Sequence, residues 1–215
     1  GASADVASLR HASPMKILVA GVGSIGQRHI RNLRALLGAN VEILAYRTRG
    51  LDHALTDRME IEGGRTVSEA YDLHEYNRLD LALAEQPDAV FVCNPTSLHL
   101  PVALAAARAA CHLLIEKPLS HSEEGVDELI ALVEQKALVA LVGYQMRFHP
   151  ALLGLRSLLD RKAVGQILAV HIEVAEYLPG AHLYEDYRQS YAARSDLGGG
   201  VILSYIHELD YVYWF

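Results

Sequence analysis

Cysteine, tryptophan and positive charge are all scarce in this chain. Two cysteines stand among 215 residues, Cys93 and Cys111, each flanked by apolar neighbours and at no metal-ligand spacing. That excludes a disulfide-rich scaffold and a cysteine-based zinc module, and it predicts two buried, reduced thiols in a cytoplasmic protein. Lys and Arg number 19 against 26 Asp and Glu, a net charge of −7 with a pI near 5.9. No global basic field is therefore present to hold nucleic acid or an anionic membrane surface. The most apolar stretch, Val102 to Ile115, is broken by Arg108 and His112. It falls short of the roughly 20 residues that span a bilayer, so no membrane segment is expected. What is present in quantity is apolar surface: 51% of residues are hydrophobic and the mean hydropathy is +0.13, enough for a buried core.

At about 150 residues per domain, the length suits one complete domain and a second that is small or cut short. Residues 1–14 lack the charged start and continuous apolar stretch of a secretory signal and read as a leader or tag outside the fold. From Met15 onward, short apolar runs alternate with longer helical periods, the pattern of parallel strands joined by crossover helices. Strands are expected at Lys16–Ala20, Val41–Tyr46, Ala89–Cys93, His112–Ile115 and Leu138–Val142. Between the first two, Gly26, Ile30, Leu33 and Leu37 make one apolar helical stripe. Residues 47–65 read as loop with some helix, and Thr66–Tyr76 fits either a strand or a helix start. Helices are expected over Asn77–Gln86, Ser97–Ala110 and Ser122–Lys136, the last opened by Ser120 with Glu123 or by Ser122. The alternation changes after Gly143. A helix near Ala151–Asp160, a strand from Gln166 to Val174, an irregular aromatic stretch and an apolar helix to Phe215 follow. The expected organisation is α/β, with a doubly wound parallel sheet over 15–144 and a partial α+β substrate domain over 145–215.

Gly21-Val22-Gly23-Ser24-Ile25-Gly26 lies directly after a strand and opens a helix, the setting in which a G-x-G-x-x-G turn acts as a dinucleotide fingerprint. The first glycine permits the turn, the second admits a pyrophosphate close to the backbone, and the third lets helix pack on strand. The helix start then offers N–H groups and a positive dipole end to the anion. An NAD site usually carries Asp or Glu about 20 residues further on, yet here the second strand ends in Tyr46-Arg47-Thr48-Arg49. Six basic residues between Lys16 and Gly50 face Glu42 alone. Arg47 and Thr48 suit a 2′-phosphate, which favours NADP over NAD. The alternative is that these arginines coat a solvated helix face, as expected for Arg31 and Arg34.

Several further segments, in this order, resemble the Gfo/Idh/MocA oxidoreductases, the family of glucose-fructose oxidoreductase and inositol dehydrogenase. They are the fingerprint followed by His29, Asn94-Pro95-Thr96-Ser97-Leu98-His99, Glu116-Lys117-Pro118, Gly143 through Pro150, and Gly198-Gly199-Gly200 through His207 to Asp210. The resemblance runs from Met15 to Phe215 and implies a Rossmann domain with a nicotinamide cofactor and hydride transfer. It implies Lys117 as a catalytic residue, Asn94, Pro95 and His99 on the nicotinamide side, and Glu116 fixing the Lys117 loop. His99 fits equally a first-turn helix residue facing water. A lysine at the carboxyl end of a parallel strand points into the ligand crevice, and its ammonium stabilises an alkoxide-like oxygen. His207 is the candidate base for the hydroxyl proton. Family members usually carry Asp where Ser204 stands here, and Asp210 shares the His207 face as a substitute partner. The alternative for His207 is a helix histidine satisfied by Asp210 with no catalytic task. Arg147 at the domain junction would hold substrate, the cofactor carboxamide, or a structural ion pair.

Seven of the eleven tyrosines fall between Tyr177 and Tyr213, with Arg188 and Arg194 among them. Aromatic faces beside guanidinium donors suit sugar rings and phosphate oxygens; the plain alternative is packing of a loop over a sheet. Tyr177, Arg147, Arg188, Arg194, Ser204 and His207 are the candidate substrate contacts, and a sugar, a nucleotide sugar or an amino sugar is the expected substrate class. Family members usually continue through further strands of an open sheet that often forms an oligomer interface, so a homo-oligomer is expected of a full-length chain. His207-Glu208 begins like a zinc H-E-x-x-H, but Tyr211 stands at the second histidine position and no metal site is expected. The rival to an enzyme is a cofactor-binding sensor, as in a galactose-responsive repressor relative of the same family.

Overall fold

The computed structural model describes residues 13–48 and 52–215. Most of the expected leader and Arg49 lie outside the described residues. Six parallel strands, β1 (Met15–Ala20), β2 (Val41–Tyr46), β3 (His74–Tyr76), β4 (Ala89–Val92), β5 (His112–Ile115) and β6 (Ala140–Val142), form one sheet in the order β3-β2-β1-β4-β5-β6. Both faces of the sheet are covered, so the central strands are nearly continuous apolar runs rather than alternating, with Lys16 and Glu42 only near their amino ends. In β1, Leu18 and Ala20 join one core with Val90, Val92, Leu113 and Ile115, while Ile17 and Val19 join the other with Ile30, Leu33 and Ile43. The strand period of two sends neighbouring side chains to opposite faces.

Helix α1 (Ser24–Leu37) buries Gly26, Ile30 and Leu33, with Leu37 packed beside them, as the stripe predicts. The ambiguous segment resolves into both alternatives. Thr66 and Glu69 form a reciprocal capping box that opens α2 (Val67–Tyr71), and β3 follows after Asp72. Next come α3 (Leu79–Ala84), α4 (His99–Arg108), α5 (Val126–Gln135) and α6 (Pro150–Asp160). The start of α5 departs from expectation: Gly125 caps it, and Ser120 Oγ instead accepts from the Ser122 amide in the preceding turn. Arg31 and Arg34 also differ from the solvated face expected of them. Arg31 donates to Leu55 O and the Tyr71 hydroxyl, and Arg34 to Val41 O and Tyr71 O, so both fasten the loop that joins β2 to β3.

The strand expected from Gln166 to Val174 does not form. Its period-two pattern is real, but a strand exists only through ladder hydrogen bonds, and no described segment pairs with it. Leu168 is accordingly 88% exposed and Val170 60%. The short α7 (Leu178–Ala181) follows, and the single C-terminal helix expected from the sequence is two, α8 (Val201–Ser204) and α9 (Ile206–Trp214), interrupted at Tyr205. Cys93 and Cys111 are both buried and unpaired. No helix among the described residues is long and apolar enough to cross a membrane.

Candidate active site

The carboxyl ends of β1, β2, β4 and β5 open into one cleft of about 490 Å³, lined by Gly21, Gly23, Arg47, Asn94 and Lys117 from the sheet side and by Tyr184, Tyr191 and Arg194 from the later segment. The strand order reverses between β1 and β4, and ligands of open α/β sheets bind at such switch points.

The glycine turn forms one wall. Gly21 has φ +96°, and a Cβ on it would lie 2.6 Å from the Asn94 amide nitrogen. A Cβ on Gly26 would lie 2.1 Å from Gly21 O, so these two positions admit only glycine if helix and strand are to pack as they do. A Cβ on Gly23, by contrast, meets nothing within 4 Å, and no side chain caps the start of α1. This is room for an anion against the helix N-terminus. Ser24 and Ile25 line the same wall.

Opposite stand the loops after β4 and β5. Pro95 and Thr96 line the cleft beside Asn94, whose Oδ1 is buried without a protein partner. His99 is buried rather than facing water: its ring nitrogens lie 2.8 Å from Asn94 O and 2.7 Å from Pro118 O, tying the two loops together. Burial lowers its pKa, against the pull of the two carbonyls. The Lys117–Pro118 peptide is cis. Glu116 accepts from His29 at 2.7 Å; burial pushes its carboxyl up, but the His29 contact together with the Lys117 amide and charge holds it below the usual range.

Lys117 Nζ donates to Ser204 O at 2.6 Å, and burial lowers its pKa against the raising effect of Glu116 and Glu208. Burial also lowers the pKa of His207, with the Lys117 charge acting in the same direction. The amide nitrogen of Gln145 lies 3.3 Å from His207 Nε2, while His207 Nδ1 and Ser204 Oγ are buried without partners. Asp210 is not the partner of His207 that its spacing offers. Its carboxylate, 7% exposed, takes a bidentate pair from Arg147 at 2.9 and 2.6 Å, the ion pair that is one of the three roles expected of Arg147.

Arg47 lines the cleft with Thr48, and its Nη1 meets Asp52 Oδ1 at 2.9 Å and Glu75 Oε1 at 2.8 Å. Arg194 also lines the cleft and pairs with Asp196. Of the expected substrate contacts only Arg194 lines the cleft; Arg147, Ser204, His207, Tyr177 and Arg188 do not, Tyr177 being 78% exposed and Arg188 stacked on Tyr187 at the surface, while Ser204 O accepts from Lys117 Nζ. Sequence reasoning missed Gln145 and Tyr184. Gln145 follows the last strand of the sheet, the same signal that singled out Lys117, whereas Tyr184 reaches the glycine turn from far along the chain. Burial raises the Tyr184 phenol above its usual value, and a hydrogen bond with the Ser24 side chain opposes this. Among the described residues no cluster of three His, Cys, Asp or Glu forms a metal site.

The residues present therefore fit a dinucleotide. The open space at Gly23, the uncapped helix start and the partnerless Asn94 Oδ1 are the features such a ligand would use. Known proteins agree with this reading. The chain is 32% identical to a UDP-N-acetylglucosamine 3-dehydrogenase of Acidithiobacillus ferrooxidans over 66% of its length and 41% of the relative's. It is 26% identical to an inositol 2-dehydrogenase of Salmonella paratyphi B over 93% and 54%. The crystal structure of a myo-inositol 2-dehydrogenase from Lactobacillus plantarum shares the fold, with TM-score 0.68 and 20% identity over 94% of this chain and 56% of that one. The chain thus spans about two fifths to one half of the length of the curated relatives it matches. The profile of the oxidoreductase family with an NAD-binding Rossmann fold matches residues 15–144, and the chain belongs to this Gfo/Idh/MocA family.

Proposed function

We propose that the protein is an NAD(P)-dependent oxidoreductase that interconverts a hydroxyl and a keto group on a sugar, with a nucleotide sugar or amino sugar as the finer expectation. On this reading residues 15–144 bind the dinucleotide and 145–215 belong to the substrate half. The observation that carries it is Lys117 Nζ, partly desolvated at the carboxyl end of β5, in the cleft that Asn94 also lines, donating to Ser204 O at 2.6 Å and with its charge felt at His207. A bound nicotinamide supplies the hydride chemistry. The chain's own residues do the rest: the glycine turn binds the pyrophosphate, Lys117 places positive charge where a substrate oxygen becomes alkoxide-like, and His207 takes or returns the hydroxyl proton. Its lowered pKa keeps the imidazole neutral near pH 7, so that a ring nitrogen lone pair is free to take the proton. The sugar class draws support from the two sugar- and cyclitol-directed relatives, and the cytoplasm from the two unpaired buried thiols.

A second reading, a dinucleotide-binding sensor without turnover, is favoured by one observation: Arg147 occupies Asp210, so that carboxylate is not shared with His207. Titration calorimetry with NAD(H) and NADP(H), followed by absorbance of reduced nicotinamide against a panel of sugars and nucleotide sugars, separates the two. The enzyme reading expects turnover that Lys117→Met abolishes while dinucleotide affinity persists. Binding without turnover points to the sensor or to a substrate half that needs more of the relatives' length, which the same assay on a longer chain separates; undiminished turnover in Lys117→Met removes the mechanism, and no binding of either dinucleotide removes the site.

A further inference from the structure

The sequence offers Arg47 to a 2′-phosphate, but in the fold its guanidinium is shared. Parallel pairing of β2 with β3 sets Ala45 beside Glu75, and the Arg47 amide donates to Tyr76 O at 3.0 Å, so the Arg47 backbone is fixed beside the Glu75 side chain. Glu75 Oε1 then meets Arg47 Nη1 at 2.8 Å. Asp52 reaches the same nitrogen at 2.9 Å from the following loop, and its Oδ1 also accepts from the Val67 amide at 3.2 Å, which anchors the carboxylate at the start of α2. The Arg47 side chain is 12% exposed in this arrangement and still lines the cleft. Among the described residues the cluster is one cation held between two anions. A 2′-phosphate arriving there brings about two further negative charges, whereas the ribose hydroxyl of NAD brings none.

We propose that Asp52 and Glu75 are specificity determinants that bias this cleft toward NAD by neutralising Arg47 and repelling a 2′-phosphate. This rests on the dinucleotide reading of the cleft. It reverses the NADP preference expected from the strand-end arginine alone, because that expectation sees the guanidinium but not the carboxylates that the fold brings to it.

The test is equilibrium binding of NAD⁺ and NADP⁺ to the 215-residue chain by titration calorimetry at low and high salt. Glu75→Gln and Asp52→Asn keep an oxygen facing Arg47 and the Val67 amide but remove the charge. The ratio Kd(NADP⁺)/Kd(NAD⁺) is expected to exceed one in the unaltered protein and to fall by about tenfold in Glu75→Gln, and further in the double variant. The fall shrinks at high salt, and adding Arg47→Ala to the double variant cancels it. If NAD⁺ binds and the ratio does not move, or moves equally with and without Arg47, the proposal is overturned while the dinucleotide site stands. If neither nucleotide binds the unaltered protein, the site reading falls and takes the proposal with it.

Discussion

His99 offers a test of how the site is held together that does not depend on substrate. Its buried ring lies between Asn94 O and Pro118 O, at 2.8 and 2.7 Å, and so joins the loop after β4 to the loop that carries Lys117. Burial lowers its pKa, so at neutral pH the ring carries one N–H and donates to one of the two carbonyls at a time. His99→Leu keeps comparable bulk and removes that donor. A buried carbonyl left without a donor costs about 1–3 kcal/mol, so the expected loss is about 2 kcal/mol, or about 4–8 °C in Tm for a chain of this size. Urea unfolding at pH 7.5, 6.5 and 5.5 measures it. The pH dependence has a definite sign. A histidine held neutral in the fold and free to protonate when unfolded leaves stability intact above the unfolded pKa of about 6.5 and erodes it as pH falls below that value. His207 contributes in the same direction, so the wild-type slope persists in part in His99→Leu but becomes shallower. A variant within about 0.5 kcal/mol of wild type, or one whose stability falls more steeply with acid, would refute the role of His99 as the tie between the loops.

Two further perturbations follow from the geometry. Gly26→Ala forces a Cβ to 2.1 Å from Gly21 O, whereas Gly23→Ala meets nothing within 4 Å. Gly26→Ala is therefore expected to lower both the urea midpoint and dinucleotide affinity, and Gly23→Ala to leave the midpoint unchanged while weakening the dinucleotide at least about tenfold, because only the ligand approaches that face. Equal effects of the two on stability would contradict the close approach. Arg147→Leu strips the partner from Asp210, which is 7% exposed, and is expected to cost about 1–2 kcal/mol, held down because the arginine itself is 37% exposed. Asp210→Asn in the same background should recover most of that loss, and urea midpoints that do not recover would show that the pair is not the reason.

The parts of this molecule that could be read from its sequence are those fixed by short-range rules. The bounds expected for the strands Val41–Tyr46 and His112–Ile115 coincide with β2 and β5, because a strand covered on both faces is a nearly continuous apolar run, interrupted here only by Glu42 and by His112 at their amino ends, and its limits show as changes in composition. The glycine turn was equally legible: its three glycines answer to steric demands within six residues of one another. Lys117-Pro118 by itself reads as an exposed turn; the family resemblance places Lys117 at the cleft, in accord with the carboxyl end of a strand as a topological address. Gln166–Val174 has the right alternation and still is no strand, since pairing depends on a neighbour that the pattern itself does not supply.

What the sequence concealed is which charge meets which. Asp210 stands three residues from His207 on one helix face, so local spacing pairs them, yet the turn after β6 brings Arg147 across 63 positions with a planar fork that fits the carboxylate better than one imidazole nitrogen does. Arg47 repeats the lesson with the opposite functional weight. Read along the chain it ends a strand in a basic neighbourhood; read across the sheet it sits where the register of β2 on β3 delivers Glu75. Strand order and register are set by burial of the apolar cores and take no account of the charges they carry to the sheet edge. An electrostatic site built at such an edge is decided by long-range pairing, which the local sign of the sequence around Arg47 does not reveal.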